Sequence, residues 1–391
     1  MDAYFVNSAI KKEEFEELEK YVLKHVSGED FAGVRKNFKP TTNILEHSRD
    51  KAYWEGPVRE TACPVQIRRS LEPLERRVPD VVGIGFAKCG TGTLQFLDCH
   101  PRVTMRSTEP KIYNSINTEI ILKEMGYAAT ELDYLNFEAV KKEYLSKLPL
   151  VAKDEILIEK SPIYTEDDGN GQIEANAKAM KRINPNTKII AIACDPIKRG
   201  YSMFQMEGRR TKIRLADHQN IKRCKACLHG TVNETIQEYT ETISKEQYGP
   251  GTGFEEYVLG LRPFVDEFGA ENVLLLDGEN LIANPNEEWS RLLEFLGLEK
   301  DSLKFYHDKE KGFPCLESPL KYCLNGAKGI SRKEDVRQLY PKETEIWRKA
   351  FSPKIKELIS YMKICDKIDR KCCRKLKKEA TSFSWAYEYA C

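Results

Sequence analysis

The sequence of 391 residues is long enough to bury a sizeable core, as one large α/β domain or as two domains of ordinary size. Hydrophobic residues make up 41% and charged residues 31% of the chain, a composition that excludes disordered and collagen-like proteins. The net charge of +1 gives no overall attraction to polyanions. An acidic partner must therefore be bound by a local group of basic side chains, and nucleic acid is not an expected partner.

Apolar segments and cysteines in the sequence indicate in which cellular compartment the protein is expected. No run of about eighteen apolar residues is present, so no transmembrane segment is predicted. The N-terminal residues include acidic side chains where a secretory leader needs an apolar core, which fits either a cytosolic chain or one whose anchor has been removed. Twelve cysteines are many for a reducing compartment. Cys315 and Cys323 are close enough for a hairpin disulfide, and buried free thiols are the alternative.

In chain order, the pattern begins with a charged N-terminal arm, residues 1–77, which is expected to lie irregularly over the core. A short apolar strand is predicted at 78–86 and a helix at 93–100. Further strands are predicted at 156–160, 187–194 and 272–281, and helices at 173–183, 254–268 and 286–298. Strands separated by helices predict a parallel sheet covered on both faces, whose ligands bind beyond the carboxyl ends of the strands.

The pattern loosens after residue 300. Residues 306–330 are predicted to form a loop, and a helical tail follows that is strongly basic at 366–379. Such a tail is most often the solvated face of a helix. The expected organisation is an N-terminal extension at 1–77, one α/β domain at 78–365 and a basic, cysteine-containing tail at 366–391.

The turn after the first strand, "GIGFAKCGTGT", nearly matches two phosphate-binding loops. A Walker A loop requires lysine after its last glycine, where Thr91 stands, and a dinucleotide-binding loop requires a third glycine, where Lys88 stands. The stretch keeps two features that both kinds of loop have in common. Its glycines let the backbone approach an anion, and the helix that follows offers unsatisfied N–H groups. Lys88, Thr91 and Thr93 add a charge and two hydroxyls. The sequence therefore predicts an anion-binding loop, with an ordinary strand-to-helix turn as the alternative.

Four segments, in order, carry a family resemblance. The loop segment "AKCGTGTL" with the later "HP" and "STEPKIYN" resembles the donor loop of sulfotransferases, most closely the heparan sulfate glucosaminyl 3-O-sulfotransferase and N-sulfotransferase group. The segments "EKSPIYT", "CDPIKRGYSMF" and "KGFPCLESPLKYCLNGAKG" are similar to later motifs of the same group. The resemblance implies a three-layer α/β fold with a central parallel sheet flanked by helices and a P-loop-like strand, loop and helix.

The resemblance also implies the donor, 3′-phosphoadenosine 5′-phosphosulfate, and a reaction that needs no metal. Its leaving group is a phosphate, and Lys88 is the candidate to stabilise the charge that develops there. The loop residues expected to hold the 5′-phosphate are Lys88, Cys89, Gly90, Thr91, Gly92 and Thr93. Within this loop, the Cys89 side chain is expected to pack against the core.

The 3′-phosphate site departs from the family pattern, which has an arginine where this sequence has Cys194. The residues implied to remain are Arg199, Ser202, Lys328 and Gly329. Ile330 stands where another arginine is common. The loss of a bidentate contact weakens donor binding unless the site is rebuilt, for which Lys198, Arg209 and Arg210 are candidates.

On the acceptor side, Glu109 lies eight residues after Pro101, as in the 3-O-sulfotransferase pattern, and is the candidate general base. Lys160 resembles the lysine that contacts the transferring group or the acceptor. Lys111 replaces the histidine usual in that subgroup. The resemblance further implies a disulfide between Cys315 and Cys323 and a location in the Golgi lumen.

The sequence thus predicts a sulfotransferase acting on a glycosaminoglycan of the heparan sulfate type. A cytosolic enzyme of the same fold, acting on a small alcohol or phenol, is the first alternative. A P-loop nucleoside kinase or nucleotide hydrolase is the second, and Thr91 argues against it. A binding protein that kept the fold but lost catalysis is the third, because of Cys194.

Overall fold

The computed structural model describes residues 3–5, 65–67, 74–106, 109–110, 141–142, 144–166, 171–205, 236–244, 257–309, 312–324, 335–363 and 383–390. Most of the predicted N-terminal arm lies outside these ranges. The predicted site residues that also lie outside them are Lys111, Arg209, Arg210, Lys328, Gly329 and Ile330.

A five-stranded parallel sheet forms the centre of the molecule. The strands of the chain are β1 Ala3–Phe5, β2 Val65–Ile67, β3 Leu74–Glu75, β4 Val81–Gly85, β5 Val103–Met105, β6 Val151–Ala152, β7 Ile156–Lys160, β8 Lys188–Ala193, β9 Val273–Asp277, β10 Lys304–Asp308 and β11 Phe313–Ser318. The central sheet has the order β5-β7-β4-β8-β9, with every pairing parallel. This confirms the predicted α/β sheet. Its edge strand β5 is new, because three residues are too short to show a period in the sequence.

Helices cover the sheet and continue after it. They are α1 Gln172–Ile183, α2 at 196–205, α3 Ile236–Ser244, α4 Tyr257–Phe268, α5 Asn280–Ala283, α6 Pro285–Phe295, α7 Val336–Leu339, α8 Pro341–Tyr361 and α9 Tyr387–Ala390. Residues 141–142 and 144–147 are also helical, and 3₁₀ helices span Thr91–Cys99, Pro162–Thr165, Ala270–Asn272 and Ser384–Ala386. Within the described ranges, no helix has both the length and the apolar character required to cross a bilayer.

The predicted loop at 306–330 contains a β-hairpin. Strands β10 and β11 pair antiparallel, with Tyr306 opposite Cys315. The prediction of a loop was therefore wrong over these strands, because Lys304, His307 and Pro314 hide the alternation that marks a half-buried strand. The hairpin packs on the core through Phe305, whose ring stacks on the buried Trp289 of α6 with centroids 4.7 Å apart.

Residues 383–390, within the predicted basic tail, pack on the carboxyl edge of the sheet. The Trp385 indole N–H donates to Asp277 Oδ1 at 3.0 Å, and the Phe383 backbone N–H donates to the same carboxylate. Asp277 ends β9 and is 1% exposed, and its burial raises the pKa of the carboxyl to about 6. The Tyr389 hydroxyl donates to Asp195, which follows β8. The chain end therefore supplies polar partners to two buried carboxylates.

We expect the Trp385→Phe variant to lose about 1–3 kcal/mol of unfolding free energy, because it removes a donor from a buried charged acceptor and keeps an aromatic ring. Urea titration at pH 7.5 measures the loss. Trp347→Phe is the matched control, since Trp347 donates to the neutral hydroxyl of Thr240 at 2.9 Å. A loss for Trp385→Phe no larger than for Trp347→Phe would show that the Asp277 contact is unimportant.

Candidate active site

The loop after β4 turns directly into a 3₁₀ helix. Lys88 has a φ of 70° and Gly90 a φ of 88°, both in the left-handed region, and Gly90 is the N-cap of the 3₁₀ helix Thr91–Cys99. Glycine adopts this conformation without steric cost. Where right- and left-handed residues alternate, N–H groups can turn toward a common point and bind an anion. In this loop the Cys89 N–H donates to the Phe86 carbonyl oxygen and the Thr93 N–H to the Gly90 carbonyl oxygen, so the N–H groups of Gly90, Thr91 and Gly92 are the candidates for an anion.

Two threonines of the loop are buried at the start of the helix. Thr91 is 6% and Thr93 4% exposed. The Thr93 hydroxyl and backbone N–H both donate to the Gly90 carbonyl oxygen, at 2.8 and 2.9 Å. The Thr93 hydroxyl thus closes the first helical turn, and its contact with a phosphate stays a prediction.

The two predicted catalytic residues of the acceptor side lie together. Lys160 Nζ donates to Glu109 Oε1 at 2.7 Å, with the Lys160 side chain 7% and the Glu109 side chain 31% exposed. Lys160 ends β7, which pairs with β4, so the ion pair lies at the same sheet edge as the loop. The Lys160 stem crosses Gly83, where an added Cβ would lie only 3.0 Å from Lys160 Cγ. This glycine therefore makes room for the lysine.

A second carboxyl group adjoins Lys160 in sequence but is unsuited to the same role. Successive side chains of a strand point to opposite faces, so Glu159 points away from the Lys160 side. It is fully buried and accepts a hydrogen bond from the Ser161 hydroxyl at 3.1 Å. Burial raises the pKa of the Glu159 carboxyl to about 8, so it is mostly protonated at neutral pH. Glu109 is the partly exposed carboxylate of the two.

Cys89 and Cys194 form a disulfide that the sequence analysis missed. Their Cα atoms are 5.2 Å apart, and both residues are 2% exposed. The expectation that Cys89 only packs against the core is therefore wrong, and direct contact of its side chain with a phosphate does not fit its burial. The position at which an arginine was expected is cross-linked to the loop. Because β4 and β8 are neighbours, cysteines just beyond their ends were a usable signal.

Among the residues that the structure describes, two basic side chains expected around the 3′-phosphate, Arg199 and Lys198, contact other protein groups. Arg199 is 4% exposed and its Nε donates to the Ala87 carbonyl oxygen at 2.8 Å. Lys198 Nζ lies 2.5 Å from Glu279 Oε2, a contact that uses one of the three N–H donors of the ammonium. Ser202 is partly exposed on α2. The roles of Arg199 and Ser202 in donor binding stay predictions.

The predicted disulfide between Cys315 and Cys323 is confirmed, with Cα atoms 4.6 Å apart. It joins β11 to the segment that follows it, next to the bridge between Leu316 and Tyr322. Within the described ranges, these two sulfurs and Asp308 are the one grouping of possible metal ligands. Sulfurs joined in a disulfide are not available as thiolate ligands. Independence of a metal stays a prediction.

Comparison with known proteins gives a consistent set of matches. Residues 78–367 match the family described as the sulfotransferase domain. Heparan sulfate glucosamine 3-O-sulfotransferase 3A1 of Homo sapiens is 26% identical over 295 residues, which are 73% of this chain and 62% of that protein. The bifunctional heparan sulfate N-deacetylase/N-sulfotransferase 3 of Homo sapiens is 25% identical over 291 residues, 70% of this chain and 29% of that protein. The chain thus covers less than two thirds of either relative.

Among solved structures, a sulfotransferase from Alicyclobacillus acidocaldarius is similar at a TM-score of 0.43. It is 18% identical, over 73% of this chain and 96% of that one.

Proposed function

The chain belongs to the sulfotransferase domain family, and on this premise we propose that it moves a sulfuryl group from 3′-phosphoadenosine 5′-phosphosulfate to a hydroxyl or amine of a heparan sulfate-type glycosaminoglycan. The observation that carries the proposal is the Lys160–Glu109 ion pair, at the sheet edge where the loop after β4 also lies. With that loop as the anion site, an anion site and a carboxylate share one edge of the sheet, as in-line transfer requires.

On the donor side, the loop N–H groups receive the 5′-phosphate and Lys88 lies beside it. Transfer breaks the bond between sulfur and the bridging oxygen, which leaves negative charge on that phosphate. A lysine ammonium held at this point stabilises the charge as it develops. Ser202, together with Lys328 and Gly329 of the closing segment, is assigned to the 3′-phosphate.

On the acceptor side, Glu109 removes the proton of the attacking hydroxyl as the new sulfur–oxygen bond forms. In the salt bridge with Lys160, Glu109 is an ionised carboxylate, the form that accepts a proton. The Lys160 side chain is almost fully buried, and its ammonium provides positive charge at the position of the transferring group. A Lys160 that holds Glu109 in place also fixes the base relative to β4 and its loop.

Two observations support a polysaccharide acceptor in the secretory pathway. The matched relatives act, by their names, on heparan sulfate. Two disulfides, Cys89–Cys194 and Cys315–Cys323, favour an oxidising compartment such as the Golgi lumen over the cytosol. Sulfation of a small alcohol or phenol in the cytosol is the competing proposal, and reduced cysteines in the native protein would favour it.

Transfer of ³⁵S-labelled sulfate from the donor to a panel of acceptors tests the proposal. Heparan sulfate chains and their desulfated derivatives should be labelled, and small phenols and alcohols should not. Chondroitin chains serve as a control for unspecific capture of a polyanion. Labelling of the small acceptors alone would contradict the polysaccharide assignment while leaving the chain a sulfotransferase.

A further inference from the structure

The Cys89–Cys194 disulfide ties the loop to the neighbouring strand. The cysteines are 105 residues apart in sequence, and each is 2% exposed. Cys89 lies between Lys88 and Gly90, and Cys194 is the first residue beyond β8. The cross-link therefore fixes the middle of the loop to the edge at which the parallel strands end.

Two buried side chains hold the same segments. The Tyr257 hydroxyl donates to the Cys194 carbonyl oxygen at 2.6 Å, and its ring meets Phe86 edge-on with centroids 4.7 Å apart. Arg199 Nε donates to the Ala87 carbonyl oxygen at 2.8 Å, and its guanidinium lies over the rings of Phe86 and Tyr257. The residues just before the cross-linked loop are thus held by α2 and α4.

Backbone closes a third side of the cross-link. A Cβ atom on Gly278 would lie 2.7 Å from the Cys89 carbonyl oxygen and 3.0 Å from Cys194 Cβ. These distances leave no room for a side chain, so the turn after β9 packs directly on the disulfide. The cross-link is therefore enclosed by neighbouring elements, which matches its burial.

The tethered loop includes a backbone conformation that is unfavourable for a residue other than glycine. Lys88 lies in the left-handed region with a φ of 70°. A non-glycine residue keeps this conformation where its surroundings impose it. A loop already held in its binding conformation spares the ligand the free energy of ordering it. Contacts on both sides of Lys88 therefore bear directly on ligand affinity.

We propose that the Cys89–Cys194 disulfide is a positioning pair for the donor, which holds Lys88 and the loop N–H groups in the geometry that receives the 5′-phosphate. This rests on the proposed function, because it takes the loop to be the donor site. The buried sulfurs act through Lys88 and Gly90. A covalent tether thus stands where the sulfotransferase pattern has an arginine.

The variant Cys89→Ala/Cys194→Ala removes the tether without leaving an unpaired thiol. We expect the Kd for adenosine 3′,5′-bisphosphate and the KM for the sulfate donor to rise about tenfold, because the ligand must then order the loop. The value of kcat at saturating donor should fall less than KM rises. Ile355→Val, in the buried face of α8, controls for a general loss of stability and should leave Kd and KM unchanged.

If the double variant fails to fold, the same Kd can be measured on wild-type protein whose disulfide has been reduced with a dithiol. The reagent's thiolate attacks one sulfur, and the reagent then closes to a cyclic disulfide. The reagent thereby gives two electrons and two protons to the Cys89–Cys194 disulfide, which becomes two thiols. Alkylation and peptide mapping identify the molecules with this pair opened. An unchanged Kd in those molecules, or in the double variant, overturns the positioning role. Untreated wild-type protein that fails to bind adenosine 3′,5′-bisphosphate overturns the proposed function itself, which tells the two failures apart.

Discussion

Replacing Lys88 by alanine is expected to lower kcat about 10²–10³-fold. The reason is that the ammonium acts on charge that exists mainly in the transition state, as the bond to the leaving phosphate breaks. The Kd for adenosine 3′,5′-bisphosphate should rise much less than kcat falls, because the loop N–H groups still receive the phosphate. Single-turnover transfer and a binding titration on the same preparation separate the two effects.

Two further lysine variants make this result specific. Lys153→Ala removes an exposed lysine from the turn between β6 and β7 and should leave kcat unchanged. Lys88→Arg keeps the charge with a different shape and should lie between the wild type and Lys88→Ala. If kcat of Lys88→Ala stays within a few-fold of the wild type, the leaving phosphate is stabilised by another group.

Replacing Glu109 by glutamine should lower kcat about 10²–10⁴-fold, because a neutral amide cannot take the acceptor's proton. Glutamine matches the shape of glutamate, so donor binding should stay nearly intact. The side chain also keeps a hydrogen-bond acceptor for Lys160, whose Nζ lies 2.7 Å from Glu109 Oε1. Initial rates at saturating donor and acceptor, with a donor-binding titration beside them, measure the result.

Glu174→Gln provides the matched control. Glu174 is an exposed glutamate in the first turn of α1, and its replacement should leave transfer unchanged. Activity of Glu109→Gln close to that of the wild type would place the general base elsewhere. A loss of donor affinity equal to the loss of rate would instead indicate that Glu109 supports the loop rather than the proton transfer.

The central sheet was predictable because its strands are buried on both faces. The runs at 156–160, 187–194 and 272–281 contain the uninterrupted apolar stretches ILI, IIAIAC and VLLL, and the observed β7, β8 and β9 lie within these runs. The turn from strand to helix after β4 was equally visible, because glycines between an apolar strand and a helix are typical of such a turn, and anion binding by it stays a prediction. The resemblance implied separate roles for Glu109 and Lys160 but not their contact, which joins residues 51 apart in sequence.

The parts that escaped the sequence depend on tertiary contacts. The β10–β11 hairpin is held by Phe305 on Trp289, a contact that no local period shows. The aromatic chain end was assigned to a basic tail, although Trp385 donates to Asp277 across 108 residues. The Cys89–Cys194 bridge required knowing that β4 and β8 are neighbours, an order that the topology decides and a local pattern does not.

Calorimetric titration of the wild-type protein with adenosine 3′,5′-bisphosphate shows whether the loop after β4 binds the sulfate donor. ATP with Mg²⁺ is titrated in parallel. We expect saturable binding of one bisphosphate per chain, weakened by Cys89→Ala/Cys194→Ala, and no comparable binding of ATP with Mg²⁺. Binding of ATP with Mg²⁺ in the absence of any binding of the bisphosphate would instead indicate a nucleotide kinase or hydrolase.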